Sequence, residues 1–194
     1  MPPSEIHQEP VIIVSGLPRS GTSMMMQMLS AGGMPVLADD ARGADEDNRL
    51  GYYEFEPVKR TKADPSWLER AGGKAVKIVY LLLYDLPSSM QYKVIFLRRN
   101  LDEVLASQKI MLQRKGKETG VDDTTMTRIF RKDLAKVGAW LKSQPNIQVL
   151  FTDYNRFLAK PVAAAEVINK FLGGRLDVQA MAAAVDPSQY RNRR

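Results

Sequence analysis

Cysteine is absent from these 194 residues, and histidine occurs once, as His7. The first absence excludes a disulfide framework, a thiolate metal site and a cysteine nucleophile. It also fits a reducing compartment, so a cytoplasmic location is expected. A single histidine leaves proton transfer near neutral pH mainly to carboxylates. No apolar run approaches the ~20 residues a membrane-spanning helix needs. Met1 to Pro10 holds Glu5 and Glu9 but no lysine or arginine, unlike the basic start of a signal peptide. A soluble chain without stable membrane insertion is expected. No basic block interleaved with aromatics forms a nucleic-acid platform, so nucleic acid is not an expected partner.

What is present is a modest basic excess, 28 Lys and Arg against 22 Asp and Glu, for a formal net charge of +6. Such an excess suits the binding of small anions. The length allows one domain with a real core, spanning 1–194, and is short for two. Val11 to Leu29, VIIVSGLPRSGTSMMMQML, joins an apolar β-branched run, a glycine-bearing turn and a helical pattern. Gly16 and Gly21 bracket four residues and Ser23 follows, the spacing of the phosphate-cradling G-x-x-x-x-G-K-[ST] loop. Thr22 stands where that loop has lysine. Glycines let successive N–H groups point at an anion, and the helix beginning near Thr22 adds its positive end. Arg19 supplies a planar fork for phosphate or sulfate oxygens in place of the lysine's point charge. The loop therefore reads as an anion site not tuned for a triphosphate.

Further along, Ala31-Gly32-Gly33 and Pro35 end the first helix. The polar segment Leu37 to Leu50, with Asp39, Asp40, Arg42, Asp45, Glu46 and Asp47, reads as a solvated loop or a substrate-facing lid. A short helix is expected from Pro65 to Gly72-Gly73. Ala75 to Tyr80, Lys93 to Leu97 and Ile147 to Phe151 read as buried strands, the first two each leading toward a helix. Helical spacing marks Leu101 to Arg114, the segment from Thr124 through Leu141, and Pro161 to Leu172, stopped by Gly173-Gly174. Arg128, Arg131, Lys132, Lys136 and Lys142 form the solvated face of the second of these. Met24, Met25, Met26 and Met28 read as core packing. Strands alternating with helices predict a three-layer α/β fold, a central parallel sheet with helices on both faces, binding its ligand beyond the carboxyl ends of the strands.

Three separated segments resemble the sulfotransferase family, in its bacterial form with a P-loop NTPase-like fold, whose donor is 3′-phosphoadenosine-5′-phosphosulfate (PAPS). Pro18-Arg19-Ser20-Gly21-Thr22-Ser23 is similar to its P-[KR]-S-G-T-[ST] loop for the 5′-phosphosulfate. Phe96 to Ser107 is similar to its strand-to-helix element for the 3′-phosphate, where an arginine precedes a serine by eight positions, here Arg99 and Ser107, with Arg98 as the rival arginine. Val149 to Tyr154, through Pro161 to Gly173, is similar to the strand, bend and helix that close the family's core. The resemblance implies transfer of a sulfuryl group from PAPS, leaving PAP, to a hydroxyl or amine of a small-molecule or glycan/peptide acceptor, with no metal required. It implies that Arg19, Ser20, Gly21, Thr22 and Ser23 hold the phosphosulfate, Arg99 and Ser107 the 3′-phosphate, and that Lys77 neutralises the leaving oxygen.

Cytosolic members often carry Lys-x-His before the 3′-phosphate element, and this chain has Lys77-Ile78-Val79. The family's basic Gly-rich C-terminal loop is not evident, with Arg191, Arg193 and Arg194 its possible substitutes. A carboxylate base is therefore expected, as in the glycan and tyrosylprotein branches. Glu54 and Glu56 sit among Tyr52, Tyr53 and Phe55, where partial burial makes a carboxylate a better proton acceptor near neutral pH. Alternation in an extended segment points both the same way; Glu54 is the choice because it resembles the glutamate preceding an aromatic in the glycan branch. Pairing of a glutamate with Lys59 or Arg60 at the surface is the competing reading. Two other functions stay open: a P-loop kinase or NTPase with Asp153 as its magnesium-binding acid, and a nucleotide-binding protein of the same fold without chemistry.

Overall fold

The structure is a computed structural model that describes residues 9–39, 51–114, 116 and 120–186. His7, the segment carrying Asp40, Arg42, Asp45, Glu46 and Asp47, and the C-terminal Arg191, Arg193 and Arg194 lie outside the described residues. Among the described residues five strands form one parallel sheet: β1 (Val11–Gly16), β2 (Val36–Leu37), β3 (Ala75–Val79), β4 (Tyr92–Arg98) and β5 (Ile147–Asp153). Their spatial order is β2-β3-β1-β4-β5. Six α-helices accompany them among the described residues, α1 (Thr22–Ala31), α2 (Leu101–Arg114), α3 (Asp123–Ser143), α4 (Tyr154–Ala159), α5 (Pro161–Leu172) and α6 (Val178–Ala183).

Alternation along the strands splits their apolar side chains between two cores. On one face Val11, Ile13, Val76, Ile78, Val94 and Phe96 pack with Val104 and Leu105 of α2 and with Phe130, Val137 and Leu141 of α3. On the other, Ile12, Val14, Ala75, Ile95 and Leu97 pack with the methionines of α1, Phe157 of α4, and Ala164 and Ile168 of α5. These are the three layers and the parallel sheet that the periodicity predicts. Met24, Met25, Met26 and Met28 are all buried, so the run of thioethers fills the space between α1 and the sheet. Arg128, Arg131, Lys132, Lys136 and Lys142 are exposed.

Strand order reverses at β1. The chain leaves β1 toward β2 and β3, returns to the far side at β4, and continues to β5, so a crevice opens at the carboxyl ends of β1 and β4. Gly16, the last residue of β1, pairs with Leu97 of β4, which places the loop after β1 directly beside Arg98 and Arg99. That adjacency positions the site.

Three local expectations are corrected. The strand expected to reach Tyr80 ends at Val79, and Tyr80–Asp85 winds as a 3-10 turn, so no α-helix connects β3 to β4. The cause is tertiary: the Tyr80 hydroxyl donates to Asp133 Oδ2 of α3 at 2.9 Å, and the Tyr84 ring packs on Trp140 at 4.7 Å. Helix α3 thus takes the place a crossover helix would fill. Burial and the bond to Asp133 push the Tyr80 phenol up to about 12. The short helix expected from Pro65 is a 3-10 turn, Ser66–Arg70. Ile129, an apolar residue at helical spacing in the segment from Thr124, is 41% exposed.

Two short helices were not signalled, α4 directly after β5 and α6, which Asp177 caps by accepting from the N–H groups of Gln179 and Ala180. Phe157 of α4 is fully buried in the second core. Phe157→Ala is expected to cost about 3–5 kcal/mol in chemical denaturation, against less than ~0.5 kcal/mol for Val162→Ala on the exposed side of α5.

Candidate anion-binding site

Between Gly16 and Thr22 the chain turns too tightly for side chains at its two glycines. A Cβ on Gly16, φ 153°, would lie 2.7 Å from the carbonyl oxygen of Leu97 and 2.6 Å from Ser20 Oγ. On Gly21, φ 97°, it would lie 2.3 Å from the ring of Tyr154. Glycine here lets β4 and α4 approach the loop backbone. Gly21 caps α1 without any side-chain acceptor, which leaves the first N–H groups of that helix turned toward the crevice. Ser20 Oγ is buried with no hydrogen-bond partner among the described residues. A buried hydroxyl without a partner beside an uncapped helix N-terminus fits a small bound anion, which would satisfy both.

Arg19 adopts the left-handed region with φ 69°, uncommon outside glycine. Its backbone and side chain are both tied to the far wall. Arg19 Nε donates to Ser107 Oγ at 2.8 Å, and the Arg19 carbonyl accepts from Arg99 NH1 at 3.1 Å. Arg99 in turn donates from Nε to Glu103 Oε2 at 2.8 Å and lies 4.4 Å from the centre of the Tyr154 ring. Ser107 is buried, and the Arg99 and Glu103 side chains are 8% and 3% exposed. Burial pushes the Tyr154 phenol up, against the opposing pull of Arg99.

Arg19 therefore meets Arg99 and Ser107, which lie far along the chain from it. Arg98 does not join them: it is exposed and its guanidinium lies 4.3 Å from the centre of the Phe151 ring. Glu103 and Tyr154 are members of this cluster that the sequence reading missed. The first had a signal, its i,i+4 spacing from Arg99 at a helix start. The second had none, because only the fold brings α4 over Gly21.

On the opposite side of the loop, the Tyr52 carbonyl accepts from Lys77 Nζ and from Ser23 Oγ, the latter at 3.4 Å. One carbonyl thus joins β3, the start of α1 and the segment that carries Glu54. Tyr53, φ 50°, and two bonds to Asp39 set the path of that segment: Asp39 N–H donates to the Glu54 carbonyl at 2.8 Å, and Glu56 N–H to Asp39 Oδ2 at 2.6 Å. Glu54 is half-buried.

The expectation that Glu54 and Glu56 share one orientation is corrected. The extended path stops at Phe55, and Glu56 opens a 3-10 turn, Glu56–Arg60, with Pro57 next to it. Glu56 is exposed and accepts from Lys59 Nζ at 2.5 Å; that bond is the main reason the Lys59 ammonium is held above its ordinary value. Glu56 makes the surface pair with Lys59. Asp153 is exposed at the end of β5 and separated from β1 by β4. No group of three or more His, Cys, Asp or Glu among the described residues forms a metal site.

The sulfotransferase domain family matches residues 9–194, and the chain belongs to that family. No curated protein matches it. Among solved structures it is similar to mouse sulfotransferase SULT7A1 complexed with PAP, at 19% identity and a TM-score of 0.59, covering 90% of this chain and 62% of the mouse chain. This chain thus spans less than two thirds of that relative. It is also similar to the sulfotransferase domain of the Synechococcus PCC 7002 olefin synthase, at 16% identity and TM-score 0.56, covering 96% and 81%. A sulfotransferase from Alicyclobacillus acidocaldarius matches at 16% identity and TM-score 0.51, covering 88% and 85%. At these identities the likeness is one of fold, the P-loop NTPase-like arrangement. No helix among the described residues is long and apolar enough to cross a membrane.

Gly21→Ala tests the loop geometry. A methyl group against the Tyr154 ring, on a backbone with positive φ, is expected to destabilise the protein by about 1–3 kcal/mol in urea unfolding. An unchanged unfolding midpoint would show that Tyr154 does not close over the loop.

Proposed function

We propose that the protein is a sulfotransferase that binds PAPS and transfers its sulfuryl group to a hydroxyl or amine of a small-molecule or glycan/peptide acceptor. The observation that carries this reading is the junction of two anion-binding elements. The uncapped loop with its unpartnered Ser20 hydroxyl lies against Arg99 and Ser107 across the β1–β4 crevice. A ligand with anionic groups at two separated positions suits such a junction. Family membership and the PAP held by the mouse relative support the same ligand.

Bound PAPS supplies an activated sulfuryl group with PAP as its leaving group. Arg19 and the backbone of Ser20, Gly21, Thr22 and Ser23 hold the phosphosulfate end, and Arg99 and Ser107 hold the 3′-phosphate. Lys77, at the Tyr52 carbonyl beside Ser23, neutralises charge on the oxygen that leaves. Glu54, two residues from that carbonyl, takes the acceptor proton on its carboxylate. The half-burial of Glu54, against the exposure of Glu56, favours Glu54 over Glu56 for this role.

If Arg99 and Ser107 each make a charge-assisted bond worth ~1.5–3 kcal/mol, PAP should bind more tightly than AMP by roughly 10²- to 10⁴-fold. Calorimetry of both nucleotides checks this, and Arg99→Ala should remove most of the preference. Loss of the preference in Arg98→Ala instead would move the 3′-phosphate to the neighbouring arginine. With an acceptor in hand, Glu54→Gln should lower kcat by roughly 10²–10⁴ while PAP affinity stays the same. Near-normal turnover in that variant would remove Glu54 as the base.

A further inference from the structure

A buried carboxylate inside an anion site works against the ligand unless it does something else there. Glu103 is such a group, its side chain 3% exposed and 2.8 Å from Arg99 Nε. Glu103 and Ser107 lie one turn apart on α2, and Arg99, two residues before the helix, reaches Glu103. All three connect to the loop after β1 through a short circuit. Glu103 accepts from Arg99 Nε, Arg99 NH1 donates to the Arg19 carbonyl, and Arg19 Nε donates back to Ser107 Oγ. Arg19 is the residue in that loop with unfavourable backbone geometry, at φ 69°. Its carbonyl accepts from Arg99, two residues before α2, and its side chain donates to Ser107 within α2.

A guanidinium has five N–H donors in a rigid plane, so fixing one edge sets the direction of the others. Without a carboxylate at its Nε edge, Arg99 would lose the contact that fixes that edge of its plane, and the direction of the NH1 donor to the Arg19 carbonyl would be set less sharply. We propose that Glu103 is a positioning residue that locks Arg99 between α2 and the phosphate loop, and so sets both ends of the nucleotide site together. This rests on the PAPS reading above. The carboxylate touches neither the transferred group nor the acceptor in this role. Its effect reaches the ligand through the direction of Arg99 and the shape of the loop at Arg19.

The test is a calorimetric cycle with PAP and AMP on wild type, Glu103→Gln, Glu103→Asp, Arg99→Lys and the Glu103→Gln/Arg99→Lys double variant. Glutamine keeps the size of the side chain and removes the charge that holds Arg99. It should weaken PAP binding by at least about tenfold and weaken AMP measurably as well, because the loop relaxes with the arginine. Aspartate keeps the charge but withdraws it by one methylene, and should recover part of the loss. In the Arg99→Lys background, which lacks the two-edged guanidinium, Glu103→Gln should cost little more, since coupled residues are not additive. A merely structural glutamate would instead cost the same in both backgrounds, and that result overturns the proposal. If Glu103→Gln does not fold, Glu103→Asp carries the decision, and undiminished PAP affinity there overturns it equally. Equal affinity of the wild type for PAP and AMP would be a different failure, one that removes the nucleotide reading and this inference with it.

Discussion

The site depends on one contact between distant parts of the chain, the approach of the β4 backbone and the start of α2 to the loop after β1. Parallel pairing of Gly16 with Leu97 brings the two strand ends side by side, and the absence of a side chain at Gly16 lets the Leu97 carbonyl come close. From there the arginine after β4 reaches the carbonyl of Arg19, and Arg19 reaches Ser107. A shift of one residue in the β1–β4 register would turn the alternating side chains to the opposite faces and separate Arg99 from the loop. The two cores on either face of the sheet hold that register, so packing far from the crevice sets its geometry.

The loop was legible in sequence because its chemistry is a backbone requirement. Glycines at 16 and 21, an apolar strand before and a helical pattern after leave few conformations, and the structure adopts the expected one. The sheet and its main helices were legible for a related reason: β-branched runs and 3.6-residue periodicity report burial, which the cores confirm at Val14, Ile95 and Ile168. Less legible were features decided by contacts between segments. Tyr80 looks like a strand residue, yet its hydroxyl is drawn to Asp133. Tyr154 looks like the residue after a strand, and becomes the wall over Gly21 only when α4 folds back. Arg19 carries the charge expected in the loop, but nothing in its neighbours in sequence announces the bond to Ser107.

The wall around Tyr52 shows the same division. Tyr52, Lys77 and Ser23 come together at a single carbonyl, which joins three segments whose sequence distance hid their proximity. Glu54 and Glu56, two residues apart, looked equivalent under strand alternation. Pro57 and the 3-10 turn end that alternation, and the pairing of Glu56 with Lys59 takes it to the surface. The distinction comes from a backbone transition that a count of apolar and polar positions does not register.

Under the proposed function the ligand carries its charge at two separated positions, the loop of Arg19 and the pair Arg99 and Ser107, rather than along a triphosphate chain. The measurement that tests this most directly is a calorimetric titration of the protein with PAP, ADP and ATP, each with and without magnesium. Tightest binding by PAP, unchanged by magnesium, is the predicted result. Tightest binding by ATP, and only with magnesium, would contradict the account and make the protein a P-loop kinase or NTPase.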